Sequence, residues 1–340
     1  MKTLLLGLQF FACAAVIARA GWVLSRSGDR IAALTGLSGG WIGLALLATA
    51  TSLPELASGV SAVVLLQAPN LAVGNALGAC VFNLLFLAVV DALQRREPMY
   101  QRASEEHLLS AAFGVVMLGL VAMAVSMAEV IPSLLHVGAY SPLLLGLYLL
   151  ALRSVHARQR RAPGAKPAIG SGAAAAGPAR AGELAREARR FALTGLIVLA
   201  AGIWLSALAE QLALAAGWNR SFVGTLFMAV VTTLPEAAAT LSALRLGAVD
   251  MAIGNLLGSN LFNVVILAVD DAAYLQRALL ADASPAHAGT AMAAVVMTGL
   301  VIVGLVLRPK GRVLRVASWV SIGVVATYLL ATALVFVRGG

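Results

Sequence analysis

Charge is scarce in this sequence. Of 340 residues, 24 are Lys or Arg and 15 are Asp or Glu, 11% in all against 61% hydrophobic, whereas a soluble domain carries about 25% charged residues. A soluble globule is thereby excluded, and a mean hydropathy of +0.92 marks an integral membrane protein. Cysteine is nearly absent: Cys13 and Cys80 both fall inside apolar runs, which excludes a disulfide framework and leaves each as a small apolar filler. The four histidines, His107, His136, His156 and His287, fall in loops or at the ends of apolar runs, so none makes a convincing proton relay. The strict alternation of membrane barrel strands is missing too, and the spans are therefore helices.

What the chain has in abundance is apolar runs of the roughly 20 residues that cross a bilayer as helix. About ten are legible: Thr3–Leu24, Leu37–Leu66, Leu71–Leu93, Leu108–Met127, Ile131–Leu152, Phe191–Ala215, Phe222–Leu244, Met251–Leu275, Gly289–Leu307 and Val313–Val337. The predicted fold is an all-α integral membrane protein. Lys2, a leucine-rich stretch and Ala18-Arg19-Ala20 look like a signal peptide with a small-residue cleavage site. The second half has a matching run at Phe191–Ala215, so the first run is expected to be an uncleaved span.

The net charge of +9 is distributed as topology, not as a nucleic-acid patch. Arg26 and Arg30, Arg95, Arg96 and Arg102, the cluster from Arg153 to Arg190, Arg245, and Arg308 to Arg315 all fall on one side of the predicted spans. The other side holds only Lys2, Arg220, Arg277 and Arg338, diluted by Asp270, Asp271 and Asp282. By the positive-inside rule both termini lie outside, and a multi-pass protein of the plasma or inner membrane is expected. Asp91 and Glu129 fall near span ends, where solvated acids are ordinary.

One pattern is written twice. Thr51-Ser52-Leu53-Pro54-Glu55 is followed by Gly74-Asn75-Ala76-Leu77-Gly78-Ala79-Cys80-Val81-Phe82-Asn83, and Thr232-Thr233-Leu234-Pro235-Glu236 by Gly254-Asn255-Leu256-Leu257-Gly258-Ser259-Asn260-Leu261-Phe262-Asn263. Glu236 follows Glu55 by 181 positions and Asn263 follows Asn83 by 180, so the copies differ by one residue in the turn between the two helices. The chain divides into a first membrane repeat (1–152, motif about 41–91), a low-complexity cytoplasmic linker (153–190) and a second membrane repeat (191–340, motif about 222–271). Five spans per half is an odd number, so the second half enters the membrane in the opposite sense. Such inverted repeats build many secondary transporters, with the site near the bilayer midplane at broken helices.

The repeated residues suit a hard cation. An acid at mid-membrane costs at least ~2.5–3.5 kcal/mol on insertion scales and is a functional-site hypothesis by default. Pro54 and Pro235 remove helical partners from the carbonyls of Ala50 and Val231. Thr51 with Glu55, and Thr232 with Glu236, are four apart and predicted to share a helix face, as are Asn75, Ala79 and Asn83, and Asn255, Ser259 and Asn263. Gly74 with Gly78 and Gly254 with Gly258 allow close helix approach. Two carboxylates, amides, hydroxyls and carbonyls match calcium, which takes six to eight oxygens, better than zinc, which favours nitrogen and sulfur.

These two motifs resemble the alpha repeats of the calcium/cation antiporter superfamily, most closely its prokaryotic sodium/calcium exchanger branch. The resemblance implies that Glu55 and Glu236 are the paired calcium-binding acids, that Thr51, Ser52, Thr232, Thr233 and Ser259 are hydroxyl ligands, that Ala48 and Ala229 lend backbone carbonyls, and that Asn83 and Asn263 form the central polar pair. It implies exchange of several sodium ions for one calcium by alternating access, with no cofactor and no enzymatic step. The lipid bilayer and the two ions are the only partners it calls for, and one chain suffices. The departures are Ala79 where the family usually has serine, Cys80 for asparagine, Asn263 where some members carry aspartate, and Ala50 and Val231 where glycine is common.

Proton/calcium exchange, with Glu55 or Glu236 carrying the proton, is the alternative within this class. An intramembrane hydrolase would need a base beside Ser52 or Ser259, and neither has a histidine at comparable depth or sits in a Gly-x-Ser-x-Gly elbow. A passive channel would need a filter of carbonyl loops or rings, and none is legible.

Overall fold

A computed structural model describes residues 2–35, 42–94, 98–161, 178–217, 223–245, 247–313 and 316–338. The first repeat opens with α1 (Lys2–Thr35). A π-helical turn (Ile42–Leu47) then leads into α2 (Ala48–Thr51) and, after a break at Ser52, α3 (Leu53–Val64). It continues with α4 (Pro69–Leu93), the short α5 (Met99–Arg102), α6 (Glu106–Ser126), a hairpin of β1 (Ser133–Leu134) and β2 (Val137–Gly138), and α7 (Tyr140–Arg161). The second repeat follows the same plan. It runs through α8 (Pro178–Ala216), a second π turn (Val223–Met228), α9 (Ala229–Thr232), α10 (Leu234–Arg245), α11 (Val249–Ala273), a 3-10 turn (Leu279–Ala281), α12 (Ala286–Leu307) and α13 (Trp319–Arg338).

Counting α2–α3 and α9–α10 as one broken helix each, the described residues give ten long helices in the twofold-repeated order read from the sequence, of which six are long and apolar enough to cross a membrane, eight with the two broken pairs. The breaks bend the chain by 46° and 42°, as expected where a proline cannot supply an N–H and its ring crowds the preceding turn. The loop between α3 and α4 is one residue longer than that between α10 and α11, which accounts for the change of offset from 181 to 180.

The repeats interlock. The π turn of each half packs on the long central helix of the other, Ile42–Leu47 on α11 and Val223–Met228 on α4, while α1 packs along α8 and α10, and α8 along α3. Glycine makes these approaches possible. A Cβ on Gly258 would stand 2.6 Å from the Leu44 carbonyl oxygen and 2.9 Å from Ala48 Cβ, and one on Gly78 would stand 2.7 Å from Ala229 Cβ.

Several boundaries differ from the sequence reading. α1 runs eleven residues past Leu24, a length that at 1.5 Å per residue carries it beyond a ~30 Å hydrocarbon core. The fifth span begins at Tyr140, not Ile131. Residues 131–139 form the hairpin because Pro132 has no N–H to give a helix, Leu135 takes a left-handed φ of 57°, and Asp271 accepts the Gly138 N–H. The last span begins at Trp319, not Val313, since Val313 instead bridges to Ala317. Of the predicted linker, 153–161 continue α7 and 178–190 begin α8, which absorbs the short surface helix expected at Glu183–Arg190. Its remainder, 162–177, lies outside the described residues, as do Arg95, Arg96, Arg220 and Arg315.

Three acids are not where the sequence reading put them. Asp91, expected to be solvated, is 1% exposed, and Asp270 and Asp271, expected on the outer surface, are both fully buried. Asp91 accepts from Met99 N (3.0 Å), Ser318 N (2.8 Å) and Ser321 Oγ (2.8 Å). Asp271, its counterpart, accepts from Leu279 N (2.6 Å), Gly138 N (2.8 Å), Ser141 Oγ (2.5 Å) and Tyr140 Oη (2.6 Å). Each acid caps the chain reversal after its own helix and ties it to the start of the last span of a repeat. Such hydrogen bonds to charged groups contribute roughly 1.5–3 kcal/mol each.

Candidate ion-binding site

The breaks at Ser52 and Thr233 place the repeated motifs at the centre of the molecule. At each break the chain leaves a four-residue helix with the break residue near φ −87°, ψ 10° (Ser52) or φ −81°, ψ 2° (Thr233) and restarts at once. π turns inside helices recur at functional sites, and here one precedes each break. Thr51, Ser52, Glu55, Thr232, Thr233, Glu236, Ser259 and Asn263 are all 0% exposed, and Asn83 1%. Glu55 and Glu236 come from opposite repeats, and Ser52, three residues before Glu55, donates to Glu236 Oε1 at 2.7 Å. Among the described residues no group of three or more His, Cys, Asp or Glu side chains gathers anywhere. The cluster is therefore two acids among neutral oxygens.

Hydrogen bonds cross between the repeats in pairs. Thr232 Oγ1 donates to Asn75 Oδ1 (3.1 Å), and Thr51 Oγ1 lies 3.4 Å from Asn255 Oδ1. Each asparagine then turns its amide back into its own half, Asn75 Nδ2 to Ser58 Oγ (2.9 Å) and Asn255 Nδ2 to Thr240 Oγ1 (3.2 Å). Asn75 and Asn255 had been read only as members of a helix face. Their roles as cross-repeat partners follow from the broken spans meeting the opposite central helix.

The predicted sharing of one face by Thr51 and Glu55 assumed an unbroken helix. With the break between them, Thr51 Oγ1 also turns to the Leu47 carbonyl (2.9 Å). The Ala48 carbonyl accepts Ser52 N (3.1 Å) and faces Thr51 Oγ1 (3.3 Å) and Ser259 Oγ (3.5 Å). The Ala229 carbonyl accepts Thr233 N (3.0 Å) and faces Thr232 Oγ1 (3.2 Å) and Thr233 Oγ1 (2.8 Å). Both carbonyls thus lie among the site hydroxyls.

The two acids are unequal. Glu236 Oε1 accepts from Ser52 Oγ at 2.7 Å and has Ser259 Oγ at 3.4 Å. The matching donors are missing around Glu55: Thr233, which corresponds to Ser52, turns to its own helix carbonyls, and Ala79, which corresponds to Ser259, has no hydroxyl. Both Glu55 oxygens, Glu236 Oε2 and all four amide atoms of Asn83 and Asn263 are buried without a hydrogen-bond partner. Buried polar groups are normally paired, so this concentration of free oxygens marks a place built to meet something else. Cys80, also free and buried, gives its carbonyl to Asn260 Nδ2 (3.2 Å).

Comparison with known proteins agrees with this arrangement. The family described as "Sodium/calcium exchanger protein" matches residues 5–153 and 190–337, both repeats. The chain is 26% identical over 232 residues to the inner membrane protein YrbG of Escherichia coli strain K12 and 30% identical over 226 residues to CaxA of Alkalimonas amylolytica, whose name proposes an antiporter. Each match spans 66% of this chain and 66% of that relative, just under two-thirds. Its fold is that of the sodium-calcium exchanger NCX_Mj, with a TM-score of 0.67 at 22% identity over 97% of this chain and 98% of the other for crystals soaked with sodium and strontium. The score is 0.64 at 21% identity for crystals without sodium or calcium. The chain is a multi-pass membrane protein that belongs to the sodium/calcium exchanger protein family.

Proposed function

We propose that this protein exchanges sodium for calcium across the membrane, exposing one buried site alternately to either side. The observation that carries this reading is the pairing of Glu55 and Glu236: two acids from inverted repeats, wholly buried and joined through Ser52, three residues before Glu55, whose hydroxyl donates to Glu236. Holding two ionised carboxylates dry costs several kcal/mol each, and a doubly positive ion between them cancels both charges. Thr51, Ser52, Thr232, Thr233 and Ser259, the carbonyls of Ala48 and Ala229, and the amides of Asn83 and Asn263 supply the neutral oxygens. Calcium tolerates such an irregular set. When calcium leaves, sodium ions replace its two charges among the same oxygens, so the site is never left bare in hydrocarbon. The interlocked repeats give the site two related surroundings, one for each side. We read the termini as lying outside, in a plasma or inner membrane, from the arginine distribution.

Proton/calcium exchange is the second reading, and one observation favours it: Glu55 has lost the hydroxyl donors that Glu236 keeps, which weakens a sodium cage and suits a protonated acid. Reconstituted vesicles loaded with sodium and diluted into sodium-free buffer containing radioactive calcium test the choice. Uptake that needs internal sodium supports sodium/calcium exchange. Uptake driven only by an imposed pH gradient replaces it with the proton reading, and conductance without a counter-ion contradicts both.

A further inference from the structure

Asp270 is an acid with no visible reason to be where it is. It lies on α11, fully buried, and neither carboxylate oxygen has a hydrogen-bond partner. It occupies the notch left by Gly59 on α3, where a Cβ would stand 2.5 Å from Oδ2 and 2.8 Å from Oδ1. Its neighbour Asp271 has both oxygens taken by four donors. The other titratable groups at this end of α11 are already engaged: Tyr140 with Asp271, Arg277 with Asp282 (2.6 Å), and the exposed His136 with the Ala272 carbonyl (3.1 Å).

The fold does not require an acid here. The corresponding residue of the first repeat, 180 positions earlier, is Val90, also fully buried, and its partner in place of Gly59 is Thr240. The position does lie on a line with the ion site. Gly59 is one turn beyond Glu55 on the same face of α3, about 6 Å along the axis, and Asp270 is two turns beyond Asn263 on α11, about 10 Å. Both steps lead toward the side on which the termini are read to lie. Two oxygens in a buried notch are far short of the six to eight that calcium takes. A proton needs only one.

We propose that Asp270 is a proton-binding site, separate from the Glu55–Glu236 cluster, on the outer leg of the ion route between α3 and α11. With the seam dry the carboxyl holds its proton. Losing the proton creates a charge that only water or a cation entering the seam can satisfy, since an ion stripped of solvent is far costlier than a neutral acid. Outer acidity therefore favours the closed seam and outer alkalinity the hydrated one, and calcium movement at the outer face quickens as external pH rises. The transport part of this inference rests on the proposed exchange function, and the proton itself does not.

The test is infrared difference spectroscopy of the purified protein with Asp270→Asn, and with Asp270→Val, the residue the first repeat uses, as a second variant. Wild type is expected to show a protonated-carboxyl C=O band that persists in the Glu55→Gln/Glu236→Gln double variant and is lost in both Asp270 variants. In vesicles the Asp270 variants lose the dependence of calcium movement on external pH. A band unchanged in Asp270→Asn and Asp270→Val overturns the inference whether or not the protein transports. A band that is lost while wild type moves no calcium leaves the proton site standing and removes the exchange function instead.

Discussion

Ser52, at the break of the first repeat, donates a 2.7 Å hydrogen bond to Glu236, the acid of the second. The two inverted halves therefore share one site and do not form two. The relationship is not reciprocated, since Thr233 keeps its hydroxyl on the Ala229 and Val230 carbonyls. Twofold ancestry has left a site whose two acids have unequal partners.

Restoring the lost donor should change the coupling ion's behaviour more than calcium's. Ala79 is buried where the second repeat has Ser259, and a serine there is placed to face Glu55 as Ser259 faces Glu236. Ala79→Ser is expected to steepen the sodium dependence of calcium uptake while changing calcium affinity little. Sodium titrations of uptake in vesicles measure both, and an unchanged Hill slope removes position 79 from the sodium cage.

Removing the cross-repeat amides should loosen the site. Asn75→Ala removes the amide that links Thr232 of one repeat to Ser58 of the other, and Asn255→Ala the one that links Thr51 to Thr240. Each variant loses two buried hydrogen bonds worth ~0.5–1.5 kcal/mol apiece, so either is expected to lower calcium affinity by roughly tenfold. Calcium binding to the purified variants checks it.

The buried caps should matter for stability. Asp271→Asn keeps the shape of the side chain but replaces one of two accepting oxygens, each of which takes two donors. A loss of about 2 kcal/mol or more is expected, read as a lower thermal midpoint in detergent. Asp91→Asn, with three donors, should lose less.

Close packing at the crossing points offers no slack. A methyl at Gly258 meets the Leu44 carbonyl and Ala48 Cβ, backbone and a buried side chain that cannot swing away. Gly258→Ala is expected to cost ~1–3 kcal/mol and to lower transport, since the Ala48 carbonyl is one of the proposed ligands. Thermal unfolding and calcium uptake together report it.

Much of this was legible because hydrocarbon makes polar residues expensive and therefore conspicuous. The duplicated acids, the proline breaks and the twofold plan follow from that one constraint, and the one-residue difference between the interhelical loops from the change of spacing between the copies. Other features were not legible. Asp91, Asp270 and Asp271 look from sequence like ordinary span-end acids, and only tertiary contacts from Ser318, Ser321, Gly138 and Ser141 reveal the two caps. The hairpin at 133–138 hides in an apolar run because Leu134, Leu135 and Val137 extend the hydropathy of the span that follows, despite Ser133, His136 and Gly138 between them. The inequality of Glu55 and Glu236 needed coordinates, since Ser52 and Thr233 are chemically alike and differ in where their hydroxyls turn.

The central claim is that Glu55 and Glu236 hold one divalent ion between them. Equilibrium binding of radioactive calcium to the purified protein, wild type against Glu55→Gln and Glu236→Gln, tests it most directly. One calcium per chain, lost in either single variant, is the result expected; two calcium ions per chain, or one that survives either substitution, would contradict it.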